Sequence, residues 1–227
     1  APVEYPEVGL YHPDLPERIV EDPEALPAPE APKGTVGLLM MRSYVLSGDT
    51  AHYDAVIRAL EAKGLRVLPA FAGGLDGRPA IDHFFRDAAG TKIDTLLSLT
   101  GFSLVGGPAY NDSDAAIEVL EGLDVPYLAA HPLEFQTLAQ WAESSQGLGP
   151  IETTMLIALP ELDGATNPCV FAGRHGTEPC KGCRYACQVE QESRDMAPCH
   201  ERIDSLSEKV ERQVRLRRKR NAEKKVG

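Results

Sequence analysis

Residues 34–172 alternate short apolar runs with amphipathic stretches. Thr35–Met41 (TVGLLMM) is apolar almost throughout, as expected of a strand covered on both faces. Asp49 or Thr50 can cap a helix over about 51–63, with Tyr53, Val56, Ile57 and Leu60 on one face and Gly64 as its stop. Leu65–Phe71 reads as the second strand, followed by a helix near 80–87 and a strand at 94–99. A glycine-rich loop, a helix at 112–121 and a strand at 125–130 follow. A further helix over about 134–144 precedes a last strand pair near 154–159 and 169–171. Strands separated by helices of this length form right-handed βαβ units. The predicted fold is α/β: an open, mostly parallel, doubly wound sheet, flavodoxin- or Rossmann-like, with helices on both faces.

The flanks break this pattern. Residues 1–33 hold eight of the eighteen prolines and eight acidic residues against Arg18 and Lys33. Proline removes backbone donors, so the segment is expected to be an extended arm. Composition alone also fits a disordered leader, but Val8, Leu10, Tyr11, Leu15 and Ile19 favour docking. Residues 173–200 are loop-like and cysteine-rich. Residues 201–227 predict a basic helix with Ile203, Leu206, Val210 and Val214 at a 3–4 spacing, leading to a following domain outside the chain. From Glu201 onward the net charge is +5, which leaves −16 on the remainder. Such a helix could touch a phosphate or an acidic partner, or be simply solvated.

The overall charge of −11 speaks against a nucleic-acid partner for the chain as a whole. No apolar run reaches the roughly 18 residues of a membrane span. The start at Ala1 lacks the pattern of a signal peptide, and a cytoplasmic setting is expected. Five cysteines, four of them within twenty residues, do not suggest a disulfide framework.

Those four carry the sharpest chemical signal. Cys180, Cys183, Cys187 and Cys199 are spaced C-x2-C-x3-C-x11-C. Four soft thiolates select an iron–sulfur cluster or Zn²⁺ over hard cations. Three sulfurs in one loop favour a [4Fe-4S] cluster, with Zn²⁺ as the alternative and free thiols as the plainest case. Lys181, Arg184 and Arg194 would offset the cluster's charge. Cys169 reads as a buried small hydrophobe.

Gly101, Phe102, Gly106 and Gly107 lie in a loop between a strand and a helix, where free backbone N–H groups could face a ligand. Arg42 and Ser43 follow the first strand on the same edge, and 71–76 follows the second. These six residues (Arg42, Ser43, Gly101, Phe102, Gly106 and Gly107) are the candidate cofactor-binding set. The loop is neither a P-loop nor a full G-x-G-x-x-G motif. His52 and His131 could carry protons or serve as axial ligands, and Glu161 with Asp163 could hold a divalent cation. Structural roles are the plainer readings: hydrogen-bonded histidines and an aspartate capping a turn.

Ordered stretches from Met41–Asp49 (MRSYVLSGD) through Pro69–Asp76 (PAFAGGLD), Ser98–Pro108 (SLTGFSLVGGP), His131–Gln136 (HPLEFQ), Ala158–Gly164 (ALPELDG), Val170–Arg174 (VFAGR) to Ala222–Lys225 (AEKK) are together specific. On them the chain resembles the porphyrin-binding H subunit of magnesium chelatase, of the bacteriochlorophyll type. The resemblance implies an internal piece of a much longer subunit that binds protoporphyrin IX and receives Mg²⁺. The I and D AAA+ subunits would supply ATP hydrolysis, and the rest of the H subunit would complete the pocket. The cysteine cluster departs from the oxygenic members of that family, so its role, structural or oxygen-sensing, is not given by the resemblance. A cobaltochelatase large subunit of cobalamin synthesis and a non-catalytic Fe–S or zinc interaction module are the alternatives. With no ATPase signature, the chain alone is expected not to insert Mg²⁺.

Overall fold

The proline-rich segment contributes two strands before the first apolar run begins. β1 (Val8–Tyr11) and β2 (Ile19–Val20) form an antiparallel hairpin, Leu10 opposite Val20 and Tyr11 opposite Ile19. β3 (Thr35–Met41) then runs straight into α1 (Arg42–Ser47), which ends at Gly48 with φ 75°. α2 (Ala51–Ala62) and β4 (Arg66–Ala72) follow. α3 (Arg78–Ala80) continues as a π-helical turn over Ile81–Phe85. A small hairpin of β5 (Arg86–Asp87) and β6 (Gly90–Thr91) leads to β7 (Thr95–Ser98). A second small hairpin, β8 (Gly106–Gly107) with β9 (Tyr110–Asn111), precedes α4 (Ser113–Leu123) and β10 (Tyr127–Thr137). α5 (Leu138–Glu143), α6 (Pro150–Glu152), a π-helical turn at Thr153–Ala158, and α7 (Leu159–Leu162) lead to β11 (Thr166–Arg174). α8 (Ala197–Lys224) closes the fold. This computed structural model describes residues 4–107, 110–174 and 197–224.

Seven strands form one sheet in the order β11-β10-β7-β3-β4-β1-β2. β11, β10, β7, β3 and β4 are mutually parallel, and β1 adds antiparallel to β4 with Leu10 opposite Ala70. The five parallel strands follow the 2-1-3-4-5 winding of flavodoxin-like folds, and the expected doubly wound α/β sheet is present. α2 and α8 cover one face. Tyr53, Val56, Ile57 and Leu60 of the first helix meet Ile203, Leu206, Val210 and Val214 of the second over Leu38, Val67 and Leu97. The π-helical turn with Ile81, Phe84 and Phe85, together with Ala116, Val119 and Leu123 of α4, covers the other face over Leu39, Leu68 and Leu96. Gly37 permits this packing: a Cβ there would lie 2.8 Å from Ile93 and 3.0 Å from Phe85.

Three stretches differ from the sequence reading. The apolar run 154–159 is helical, not a strand. Glu152, Leu156 and Pro160 are buried at a spacing of four, a period that a short apolar run does not reveal by itself. The predicted helix at 134–144 begins only at Leu138, because β10 continues through Thr137 to pair with β11. Arg42–Ser47 forms a helix where a loop is expected.

The basic helix lies on the sheet. Arg217 donates to the carbonyl of Ile93, Arg218 to those of Pro32 and Lys33, and Arg220 pairs with Asp124 at 3.4 Å. Among the described residues no helix is long and apolar enough to cross a membrane.

Candidate functional site

In an open parallel sheet, ligands bind outside the carboxyl ends of the strands where the winding reverses. Here that point lies between β3 and β7. The loops leaving β3, β4 and β7 enclose a cavity of about 30 Å³, lined by Met41, Leu75, Asp76, Phe102, Leu104 and Gly106 among others. Its walls are mainly apolar, with the hydroxyls of Thr100 and Ser103 as the side-chain polar groups besides Asp76. Ligand pockets for drug-sized molecules run to several hundred Å³, and one water needs about 10–15 Å³. The cavity therefore has room for a water or two and none for a macrocycle.

The predicted cofactor-binding residues separate. Phe102 and Gly106 line this crevice, and Gly107 packs beneath Leu75. Gly106 has φ 117°, and a Cβ there would lie 2.2 Å from the Tyr110 carbonyl, so the β8–β9 hairpin requires glycine. Gly101, φ 74°, sits against Leu156 and the His131 Cβ. Arg42 is occupied elsewhere: Nε donates to the Pro6 carbonyl at 3.0 Å and Nη2 to that of Tyr5 at 3.1 Å. It fastens the arm rather than facing the crevice. Ser43 is exposed on α1.

The two histidines lie on opposite faces of the sheet. His52, on α2, is fully buried beside Tyr53 and stacks on Phe171 at 6.0 Å between ring centroids. Burial lowers its pKa to about 3. His131 follows Ala130 on β10, and Ala130 faces the His52 side, so His131 points the other way. It is also fully buried, burial lowers its pKa to about 4, and neither ring nitrogen has a hydrogen-bond partner among the described residues.

Glu161 is exposed, whereas Asp163 is buried and its Oδ2 accepts from the Leu104 N–H at 2.7 Å. Burial raises the Asp163 pKa. The predicted pairing of these two around one cation therefore lacks a second buried carboxylate. Among the described residues the one histidine–carboxylate group with metal-like spacing is His12, Asp14 and Glu61, which the sequence reading does not include. The Nδ1 of His12 faces the Asp14 N–H at 3.2 Å and must accept from it, so Nε2 carries the proton and donates to Glu61 at 2.9 Å. With both nitrogens engaged, His12 is a structural link between the arm and α2.

Glu152 was also missed. It is 1% exposed, and one oxygen, Oε1, accepts from three successive backbone N–H groups, those of Glu134, Phe135 and Gln136, at 3.0, 2.8 and 3.1 Å. The clue in the sequence is slight: an acidic residue at helical spacing from Leu156 and Pro160. The carboxylate satisfies backbone donors at the end of β10 that no strand partner takes.

Of the predicted metal ligands, Cys180, Cys183 and Cys187 lie outside the described residues. Cys199 falls in the first turn of α8, and its side chain lies outside them too. Cys169 is half-buried on β11 against the α2–α8 layer, and burial raises its thiol pKa.

The CobN/Magnesium Chelatase family model matches residues 1–227. The chain is 68% identical over 230 residues to the magnesium-chelatase H subunit of Cereibacter sphaeroides, and 66% identical over 229 residues to that of Rhodobacter capsulatus. Each match covers 100% of this chain and 19% of the relative, so the chain spans about a fifth of their length. The catalytic subunit of cobaltochelatase from Mycobacterium tuberculosis superposes with a TM-score of 0.66 at 23% identity, covering 96% of this chain and 16% of that one, which shows a shared fold. From its first residue to its last, this chain belongs to the CobN/magnesium chelatase family.

Proposed function

We propose that this chain is part of the porphyrin-binding H subunit of an ATP-dependent magnesium chelatase, which inserts Mg²⁺ into protoporphyrin IX in bacteriochlorophyll synthesis. The observation that carries the reading is the 68% identity, over the whole chain, to the H subunit of a magnesium chelatase. Identities of 66–68% to subunits of the magnesium type favour it over the cobalt-inserting alternative.

In the reaction the porphyrin gives up two N–H protons and Mg²⁺ gives up water, a slow step for so tightly hydrated an ion. The I and D AAA+ subunits supply ATP hydrolysis, and the rest of the H subunit supplies most of the pocket. The 30 Å³ crevice agrees with that division, being too small to hold the ring in the form seen here. Of the four candidate residues, His131 combines complete burial with two ring nitrogens that have no hydrogen-bond partner among the described residues. It is neutral at pH 7, and the burial that lowers its pKa also opposes its taking up a proton. Asp163 supports the loop that carries Leu104, and His52 belongs to the aromatic layer under α2.

Cys180, Cys183, Cys187 and Cys199 hold a [4Fe-4S] cluster in this reading. Four thiols, three of them within eight residues, suit that group, with zinc as the alternative. Bound there, the cluster would tie residues 180–187 to residue 199 at the start of α8, or would serve as an oxygen-labile centre.

Two experiments test the reading. Purified full-length H subunit should quench protoporphyrin IX fluorescence on binding and complete Mg²⁺ insertion when the I and D subunits and ATP are added. Binding of a corrinoid precursor in place of protoporphyrin IX would overturn it. Iron and acid-labile sulfide, measured under nitrogen, should be present in the native protein and absent from Cys183→Ser; equal iron in both would remove the ligand assignment.

A further inference from the structure

The crevice at the β3/β7 reversal is narrowed by its own loops. The Gly77 N–H donates to the Leu104 carbonyl at 2.9 Å, the Gly106 N–H donates to the Leu75 carbonyl at 2.9 Å, and Asp76 and Val105 form an antiparallel bridge between these two bonds. Residues 102–107 are thus stitched edge to edge onto residues 74–77. Positive-φ glycines stand at the ends of both segments: Gly74 (φ 71°), Gly101 (φ 74°) and Gly106 (φ 117°). The strap is fastened further by the Leu104 N–H to buried Asp163 at 2.7 Å, by the Asp112 N–H to the Val105 carbonyl at 2.9 Å, and by the pairing of Gly106 and Gly107 with β9. Beneath it the walls are Leu39, Met40, Met41 and Ala72. Neither nearby arginine is available for an anion: Arg42 is held by the Tyr5 and Pro6 carbonyls, and Arg78 is clamped on Asp76 at 2.6 Å.

We propose that residues 102–107 are a lifting strap, and that the crevice they cover is a gated site for an uncharged, apolar ring edge or alkyl group. This deepens the chelatase reading and rests on it for the identity of the ligand. Lifting breaks the two inter-loop hydrogen bonds and the Asp163 and Asp112 contacts while β3, β4 and β7 stay paired and the β8–β9 hairpin moves with the strap, because small openings draw on the least stable hydrogen bonds of a fold. Glycines at the ends of the strap absorb the dihedral change without Cβ strain. The closed form leaves room for a water or two in an apolar cleft, and the open form exposes a surface on which an apolar ring can rest.

The test is to lock the strap. Asp76 and Val105 face each other in an antiparallel bridge, where Cα atoms stand about 4.5–5.5 Å apart, within disulfide range. Full-length H subunit carrying Asp76→Cys with Val105→Cys is oxidised, and protoporphyrin IX binding is followed by fluorescence before and after dithiothreitol; wild type treated in the same way is the control. The locked form should bind at least 10-fold more weakly, and reduction should restore the affinity. Unchanged affinity when locked, or a loss that reduction does not reverse, overturns the strap. Wild type that binds no protoporphyrin IX at all defeats the chelatase reading instead. The strap is then judged by hydrogen exchange, in which the Gly77 and Gly106 amides should exchange at least 100-fold faster than those of β3. Equal protection would show that the strap does not lift.

Discussion

Glu152→Ala removes a buried acceptor that serves three backbone donors at once. With the carboxylate present, the N–H groups of Glu134, Phe135 and Gln136 all reach Oε1 within 3.1 Å. Alanine leaves them to find water at the edge of the fold. A buried donor deprived of its partner costs about 1–3 kcal/mol. The exposed Phe135 side chain marks the solvent side, so part of the loss is recovered there. The expected destabilisation is about 3–5 kcal/mol. Glu152→Gln keeps an acceptor oxygen but loses its charge, and it places an NH₂ group where Oε2 has no partner among the described residues. Its expected cost is about 2 kcal/mol, since charge-assisted bonds are roughly twice as strong as neutral ones. Urea unfolding measures both. With an m-value of about 2–3 kcal/mol/M, the alanine variant should shift the midpoint down by about 1–2.5 M and the glutamine variant by about 0.7–1 M. An alanine variant within about 1 kcal/mol of wild type would refute the reasoning, as would two variants that lose equal stability.

The same geometry yields three further expectations. His52 and His131 have folded pKa values of about 3 and 4, below the unfolded value near 6.5, so the unfolded chain takes up more protons on acidification. Their contribution is present in full above about pH 6.5 and lost as pH falls toward 4, on the order of 2–3 kcal/mol each by pH 4.5; urea midpoints at pH 7.5 and 4.5 check this, and His131→Phe should flatten part of the slope. Gly37→Ala forces a methyl into contact with Ile93 and Phe85 and should cost about 1–3 kcal/mol, read by thermal unfolding. Arg42→Ala frees the Tyr5 and Pro6 carbonyls and should speed limited proteolysis before Val8 while leaving the unfolding free energy within about 1 kcal/mol.

What the sequence made legible follows from how each element is stabilised. The parallel strands at Thr35 and Leu65 announce themselves because burial on both faces demands unbroken apolar runs. α2 is plain because one stripe of it is buried and Gly64 ends it. Elements set by partners distant in the chain were hidden. β10 reaches Thr137 only because β11 lies beside it, and residues 153–158 are helical because their buried positions fall four apart on a surface the sequence does not display. The crevice was legible in outline, since Phe102 and Gly106 lie on loops that must leave the carboxyl edge. Arg42 was not, because its partners are main-chain carbonyls thirty-six and thirty-seven residues away, and carbonyls carry no side-chain signature.

The β1–β2 hairpin has a consequence for association between chains. Without β1, the edge of β4 at Ala70, Phe71 and Ala72, all three of them hydrophobic, would present bare amides and carbonyls to any passing chain. The hairpin replaces that apolar edge with β2, a two-residue rim followed within three positions by Pro23 and preceded by Pro16, too short and too interrupted for another molecule to extend. The prolines that make this segment look unstructured are what keep the sheet from growing.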